Sequence, residues 1–306
     1  MAPLRVGRRC RGVSLVPVVL GSLLLACDGN VGPTQPTGSP PGPTSTERSS
    51  GPIAFVSNRD GSDHIYLANE DGSAVTRLVE GSSPAWASDG GRLAFRQRFE
   101  IHVVNVGGTS LRRVIGGLSP AWSPDGATLV FENHDGSDSD IDLVDADGSN
   151  RRPLFSSGGY GAFDPVWSPD GQRVLFSVGT YIDFDTGLWT MNADGTDAHQ
   201  VGGLHDGWQP AWSPDGSQIA FVTPAGIEVA RSDGAGRRLL VPGPARDPDW
   251  TPDGRLIFTR STTPVADLGA PARIFITDGM VERQLIPDVE APFVAGYADS
   301  QPVWLR

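Results

Sequence analysis

The sequence contains no lysine, although it has 24 arginines. A P-loop lysine, a Schiff-base lysine and a lysine general base are therefore excluded. Cysteine is almost absent as well, since Cys10 and Cys27 are the only two among 306 residues. Two cysteines can form neither a disulfide framework nor a cysteine-rich zinc site.

Basic residues are outnumbered by acidic ones, and the composition does not favour helices. The formal net charge is −12, so a nucleic-acid partner, which normally binds a basic face, is not expected. The chain has 39 glycines and 26 prolines, the two residues that disfavour helix interiors most strongly. Its length suffices for one large all-β domain or two smaller domains, and this composition favours the single all-β domain.

Residues 1–26 are predicted to be a lipoprotein signal peptide. Four arginines precede the mainly apolar residues 13–26, a stretch shorter than the roughly 20 residues that span a bilayer and typical of a cleavable signal. The junction Leu-Leu-Ala-Cys at residues 24–27 resembles the bacterial lipobox, in which the cysteine is acylated and the chain is cleaved before it. Cleavage at an ordinary secretory site is the alternative, but the position of Cys27 favours lipidation.

The mature chain is expected to begin with the lipidated Cys27 and a flexible tether. Loss of the four signal arginines would change the formal charge from −12 to −16. Residues 27–50 are rich in proline, glycine, serine and threonine and lack an apolar periodicity, which is typical of a flexible linker. The protein is therefore predicted to be exported, anchored by lipid to a bacterial membrane, and to face the periplasm or the cell exterior.

A Pro-x-Trp segment followed by a tight turn recurs through the rest of the chain. Five complete copies begin at Pro84, Pro120, Pro165, Pro210 and Pro248, and a shortened sixth begins at Pro302. The Trp-to-Trp spacings are 36, 45, 45, 38 and 54 residues. Periods near 40 residues indicate the four short strands of a propeller blade.

Each repeat divides into four predicted strands, and the two ends of the chain complete each other. Pro-x-Trp begins the first strand, at an edge where proline is tolerated, and Ser-Pro-Asp-Gly forms the turn to the second. Residues 53–79 supply only second, third and fourth strands, whereas residues 302–304 supply only a first. We predict an all-β fold over residues 51–306: a six-bladed β-propeller of four-stranded antiparallel blades. The C-terminal strand would close the ring by joining the N-terminal blade, which removes the open sheet edges.

The repeats resemble those of the TolB-type six-bladed β-propeller, which carry the same Trp-Ser-Pro-Asp-Gly turn and a later Asp-Gly turn. The resemblance covers about residues 51–306 and implies a TolB-like propeller lipoprotein. TolB itself is a soluble periplasmic protein with an N-terminal α/β domain, whereas this chain has a tether at that place. Functions that depend on the missing domain are therefore not carried over. A second departure is Asp249, which stands where other blades have alanine or valine.

No constellation of catalytic residues is evident in the sequence. A Gly-x-Ser-x-Gly elbow is absent, and the five histidines are scattered over unrelated repeat positions. A metal-dependent propeller lyase or lactonase would need several ligands that converge on the central axis. The weak candidates for such ligands are Asp164, Asp247 and Asp249. No cofactor is predicted, although a Ca²⁺ ion in the channel or in an acidic loop stays open as an alternative.

The residues around the end of the channel are predicted from the propeller connectivity. Loops between second and third strands, and loops between blades, should emerge on one face. The channel mouth on that face is predicted to consist of Ser83, Ser119, Asp164, Gln209, Asp247 and Gln301, with Asp249 close by. Asp164 and Asp247 would make the mouth negative and suited to a cation or a basic peptide. The alternative is that these residues only cap strand ends.

The long loops of the same face contain aromatic residues outside the repeat motif. Exposed aromatic side chains suit a partner surface because they bury much area at little entropic cost, although they could instead pack on their own loops. The predicted partner-binding residues are Tyr160, Phe163, Tyr181, Phe184, His205, Trp208, Phe293 and Tyr297.

The function predicted from these features is that of a lipid-anchored extracytoplasmic module that binds or scaffolds an envelope protein or peptide. It is expected to be monomeric and non-enzymatic, and to contact the membrane only through its lipid. The alternative is a metal-dependent propeller enzyme, of the lyase or lactonase type, acting on a carbohydrate or small ligand.

Overall fold

A computed structural model describes residues 53–135, 138–179, 187–261, 272–286 and 299–305. Within these ranges, 24 β-strands form six four-stranded sheets, and neighbouring strands in every sheet are antiparallel. The same ranges contain no helix of the length and apolarity needed to cross a bilayer. The predicted all-β propeller of six blades is confirmed.

In each blade the strands follow one another from the channel outwards. Blade 1 consists of Asp299–Trp304 (β24), Ile53–Ser57 (β1), His64–Ala68 (β2) and Thr76–Glu80 (β3). Blade 2 consists of Ser82–Trp86 (β4), Arg92–Gln97 (β5), Glu100–Asn105 (β6) and Arg112–Gly116 (β7). Blade 3 consists of Leu118–Trp122 (β8), Thr128–Asn133 (β9), Asp140–Asp145 (β10) and Arg152–Phe155 (β11).

The second half of the ring has the same strand order. Blade 4 consists of Gly161–Trp167 (β12), Arg173–Gly179 (β13), Leu188–Asn192 (β14) and His199–Gln200 (β15). Blade 5 consists of Trp208–Trp212 (β16), Gln218–Thr223 (β17), Gly226–Arg231 (β18) and Arg238–Pro242 (β19). Blade 6 consists of Ala245–Trp250 (β20), Leu256–Ser261 (β21), Ala272–Thr277 (β22) and Glu282–Gln284 (β23).

The ring is closed by the last strand of the chain. β24 pairs with β1, so that Trp304 lies opposite Ile53. The innermost strands of neighbouring blades contact one another all the way round, β24 touching both β20 and β4. The predicted closure is confirmed, and it leaves neither end of the chain with an unpaired inner edge.

The core lies between adjacent blades. Each second strand contributes a phenylalanine that is fully buried: Phe55, Phe95, Phe131, Phe176, Phe221 and Phe258. Residues of blades 1 and 2, for example, form one cluster around Phe95. Gly81, where the chain enters blade 2, has φ 153° and lies so close to this ring that a β-carbon would be 2.6 Å from its Cδ2 atom. A glycine is therefore required at that junction.

The strand directions define two faces of the propeller. Connections between second and third strands, and between blades, lie on one side, which we call the mouth face. The Ser-Pro-Asp-Gly turns and the turns between third and fourth strands lie on the other side, the opposite face. Ile53 pairs with Trp304, at the end of the first strand of blade 1. The described chain therefore begins at the opposite face.

Candidate binding site at the channel mouth

Every first strand carries a β-bulge immediately before its proline. The residue in the bulge has a left-handed backbone conformation in all six blades, with φ between 44° and 51°: Ser83, Ser119, Asp164, Gln209, Asp247 and Gln301. The pairing register with the second strand shifts at the same place in each blade. This conformation costs a non-glycine residue about 1–2 kcal/mol, and a bulge changes the direction of a side chain. The fold thus repeats an unfavourable conformation six times to form one ring of polar residues.

These six residues line one end of a central cavity of about 580 Å³. The middle layer of the wall is apolar in five blades, with Ala85, Ala121, Val166, Ala211 and Val303, and acidic in the sixth, with Asp249. The far end is lined by residues of the Ser-Pro-Asp-Gly turns, including Pro124, Pro169, Pro214 and Pro252. All seven residues predicted for the mouth therefore lie around a single channel, which is polar at the mouth face and mainly apolar below.

Hydrogen bonds between blades hold part of the mouth ring in place. The backbone N–H of Ser83 donates to Oε1 of Gln301 at 2.8 Å, and the N–H of Gln301 donates to Oδ2 of Asp247 at 3.3 Å. The N–H of Asp247 donates to Oε1 of Gln209 at 3.1 Å, while the Gln209 amide donates to Oδ1 of Asp247 at 2.8 Å. The side chains of Gln209, Asp247 and Gln301 each accept from the next blade, so four consecutive blades share one hydrogen-bonded arc. A site built this way is rigid before any partner binds.

Asp164 differs from the other acids of the mouth. Its backbone N–H donates to Oε1 of Glu132 at 2.8 Å, but within the described ranges no hydrogen bond reaches its carboxylate. Burial raises the pKa of Asp164 well above its usual range, and the negative charges of Glu132 and Asp247 raise it further. Burial also raises the pKa of Asp247, although Arg246 and the hydrogen bonds from Gln209 and Gln301 oppose that shift. The mouth therefore contains a partly buried carboxyl group that a cationic partner would stabilise in its charged form.

A serine, a histidine and a glutamate lie next to Asp164. Nε2 of His134 is 3.3 Å from Oε2 of Glu132 and 3.2 Å from Oγ of Ser139. Ser139 Oγ donates to the carbonyl of Ala162 at 2.9 Å. The contacts to Glu132 and Ser139 use the same ring nitrogen, whereas a hydrolytic triad uses one nitrogen for the nucleophile and the other for the acid. These contacts form a polar network that is joined to the backbone of Asp164 through Glu132.

The three weak metal candidates, Asp164, Asp247 and Asp249, do not form a metal-binding group of three within the described ranges. Among the described residues, no group of three or more histidine, cysteine, aspartate or glutamate side chains is arranged to hold a metal ion. Oδ2 of Asp249 accepts the backbone N–H of Trp304 at 2.9 Å, and Asp247 is engaged in the ring described above. Asp164 is the one of the three whose carboxylate accepts no hydrogen bond within the described ranges.

The structure separates the predicted partner-binding residues into three groups. Tyr160 and His205 are exposed on connections of the mouth face, with Tyr160 at 50%. Phe163 and Trp208 are partly buried and belong to strands β12 and β16, so their placement in loops was wrong. The bulge extends each first strand before its proline, and Trp208 consequently packs against the core between blades 5 and 6. The remaining predicted residues, together with Cys27, lie outside the described ranges: Tyr181, Phe184, Phe293 and Tyr297.

Two residues of the mouth face were missed by sequence reasoning. Phe99, at the tip of the β5–β6 hairpin, is 76% exposed. The sequence signal was an aromatic residue in a two-residue hairpin turn, where solvent exposure is expected. Glu132 directly follows the buried phenylalanine of β9, and other blades have serine, arginine, valine or threonine at that position. A comparison of the repeats at this position would have identified it.

The family model of the TolB beta propeller domain matches residues 82–285. The chain belongs to this family. Among solved structures, TolB from Acinetobacter baumannii is similar to it with 18% identity and a TM-score of 0.69, over 84% of this chain and 67% of that chain. A putative TolB from Agrobacterium tumefaciens is similar with 19% identity and a TM-score of 0.59, over 78% of this chain and 88% of that chain.

Other solved structures are similar to this TolB-family propeller as well. An oligogalacturonate lyase from Vibrio parahaemolyticus gives 14% identity and a TM-score of 0.53, over 77% of this chain and 74% of that chain. At such identities the likeness concerns the fold alone. No curated protein matches the chain.

Proposed function

We propose that this TolB-family propeller is a lipid-anchored, extracytoplasmic binding module that captures an envelope protein or peptide at its channel mouth, without catalysis. The observation that carries the proposal is the carboxyl group of Asp164. It lines the mouth, receives no hydrogen bond from the described residues, and lies near the second acid Asp247. A group of this kind is costly in the free protein and is compensated when a cation binds.

The chemistry of the mouth favours an ammonium or guanidinium group on an extended segment of the partner. Such a group would supply N–H donors to the carboxylate of Asp164. Its positive charge would also offset the repulsion between the carboxylates of Asp164 and Asp247. The apolar wall beyond the mouth, including Ala121 and Val166, suits the aliphatic part of a lysine or arginine side chain. Because the ring from Gln209 to Ser83 is already hydrogen-bonded, little entropy would be lost on binding.

Exposed aromatic side chains on the same face support a protein or peptide as the partner. Phe99 is 76% and Tyr160 50% exposed. Aromatic anchors outside a polar pocket are typical of protein interfaces, where a few such residues contribute most of the binding energy. The lipobox at residues 24–27 supports an extracytoplasmic location for this interface.

The proposal is tested with a fluorescent hexa-arginine peptide as the probe and a hexa-glutamate peptide as the charge control. We expect the basic peptide to bind the mature domain and Asp164→Asn to weaken it by about tenfold or more. Asp63→Asn is the matched control, because it removes one exposed carboxylate from the same face, away from the channel. Equal affinity of the wild type and both variants, measured by fluorescence anisotropy, would contradict the proposal.

The alternative of a metal-dependent enzyme is tested by elemental analysis of the purified protein. A stoichiometric transition metal that is lost in Asp164→Asn, but retained in Asp63→Asn, would favour the enzyme and an oligosaccharide or other small substrate. The alternative is supported by the similarity in fold to an oligogalacturonate lyase.

A further inference from the structure

Exposed large apolar side chains of the described residues occur on both faces of the propeller. Phe99 and Tyr160 lie on the mouth face, and Leu239 lies on the outer strand β19. The other three lie in turns of the opposite face: Leu111 at 50%, Met280 at 91% and Val281 at 67% exposed. The proposed binding of a partner at the mouth does not account for this second set.

The second set is confined to turns on two blades. The turns between third and fourth strands contain an Asp-Gly pair in blades 3, 4 and 5. The two residues that follow this pair are Ser149-Asn150 in blade 3, Thr196-Asp197 in blade 4 and Ala235-Gly236 in blade 5. The same two positions are Met280 and Val281 in blade 6. The turn of blade 2 has Gly107-Gly108 in place of Asp-Gly, and its apolar residue, Leu111, is the third residue after that pair. Blades 6 and 2 are the two neighbours of blade 1. The apolar turns therefore flank the blade in which the described chain begins.

The most exposed of these turns has a fixed conformation. The backbone N–H groups of Met280 and Val281 both donate to Oδ1 of Asp278, at 2.8 and 3.0 Å. Gly279 lies so close to the outer strand of blade 5 that a β-carbon would be 2.9 Å from Cδ1 of Leu240. The side chains of Met280 and Val281 are thus exposed to solvent on an ordered turn that packs closely against blade 5.

The position of Ile53 shows on which face the chain enters the propeller. The chain enters blade 1 at the opposite face, where Ile53 pairs with Trp304. Between it and Cys27 lie residues 28–52, and a flexible tether of that length and composition has a root-mean-square span of roughly 30 Å. A lipid on Cys27 would hold the opposite face near the bilayer at a high effective concentration, so that even a weak second contact would be populated.

We propose that the opposite face rests on the lipid surface along blades 6, 1 and 2, with Met280, Val281 and Leu111 in the interfacial layer. The channel mouth then points away from the membrane, towards the partner. The surface is a zwitterionic one, because the opposite face also carries turn aspartates such as Asp71 and Asp278, and the mature chain has a formal charge of −16. This inference rests on the lipid anchor of the proposed function.

The test uses the full lipidated chain in phosphatidylcholine vesicles. Once Cys27 is acylated and Cys10 is removed with the signal, an introduced cysteine is the single free thiol. Met280→Cys, Thr196→Cys and Phe99→Cys would each be labelled with the same environment-sensitive fluorophore. Thr196 is the matched control, because it occupies the same turn position as Met280 but in blade 4, across the ring.

We expect nitroxide-labelled lipid to quench the probe at residue 280 at least twofold more than the probes at residues 196 and 99. Vesicles with an anionic lipid should reduce this difference. Equal quenching at all three positions, or strongest quenching at residue 99, overturns the orientation. A blue shift at residue 280 without vesicles indicates contact with a second copy and also overturns it. A chain that is not acylated overturns the anchor as well, whereas an acylated chain with residue 280 in water overturns this inference alone.

Discussion

Asp249 in blade 6 joins the last strand of the chain to its neighbour, since its Oδ2 atom accepts the backbone N–H of Trp304 at 2.9 Å. A second contact of the same kind runs from the N–H of Gln301 to Oδ2 of Asp247 at 3.3 Å. Both acceptors belong to blade 6 and both donors to β24, which completes blade 1. Asp249, the residue that departs from the repeat, therefore holds β24 against blade 6, and β24 is the strand that closes the ring by pairing with β1.

Replacing Asp249 by alanine tests this role with the residue that blades 2, 3 and 5 have at the same position. The backbone N–H of Trp304 would lose its acceptor, and we expect the free energy of unfolding to fall by about 1–3 kcal/mol. Urea denaturation measures the change, with Asp63→Ala as a control that removes an exposed acid. A variant as stable as the wild type would show that the bond does not contribute to closure.

Removal of residues 302–306 is expected to destabilise the whole ring rather than one blade. Trp304 is 2% exposed and belongs to the core cluster between blades 6 and 1. Loss of a buried tryptophan alone costs about 3–5 kcal/mol, and the truncation also exposes the inner edge of β1. Thermal unfolding followed by circular dichroism should show a markedly lower Tm. An unchanged Tm would mean that closure by β24 is not required for stability.

Substitution Cys27→Ser is expected to release the protein from the membrane fraction or to leave it as an uncleaved precursor. The serine cannot form the thioether that carries the lipid, and the tether would then hold nothing in the bilayer. Membrane fractionation and metabolic labelling with a radioactive fatty acid measure the two effects. Cys10→Ser is the control, because that residue lies within the predicted signal. Unchanged partitioning and labelling of Cys27→Ser would refute the lipobox assignment.

The repeat motif was sufficient to predict the blades, their number and their closure, because proline, tryptophan and turn residues recur at fixed places. It was not sufficient to predict the bulge before each proline, since the left-handed conformation of residues as different as Ser83 and Gln301 has no residue signature. The error at Trp208 has this cause. Its ring packs against the core between blades 5 and 6, whereas a loop aromatic such as Tyr160 is half exposed. Long-range partners, such as Glu132 for Asp164, depend on which strands become neighbours in the closed ring.

The raised pKa of Asp164 makes a prediction about stability and pH. The folded state holds this proton more tightly than the unfolded chain does, so its contribution is fully present below about pH 4 and is lost as the pH rises through the raised pKa. Asparagine does not ionise, and the stability of Asp164→Asn relative to the wild type should therefore increase from pH 4 to pH 8. Turn carboxylates such as Asp125, whose pKa is lowered by the Ser123 hydroxyl, have the opposite dependence but are common to both proteins.

The measurement is the difference in Tm between Asp164→Asn and the wild type across that pH range, with Asp63→Asn as the control for loss of an exposed carboxylate. The difference should grow with pH for Asp164→Asn and stay nearly constant for the control. Addition of the hexa-arginine peptide should raise the Tm of the wild type most at the upper end of the range, because the charged form of Asp164 is the one that binds it. A difference in Tm that does not change with pH would mean that the carboxyl group at the mouth is solvated, and the reason for a cationic partner would then be lost.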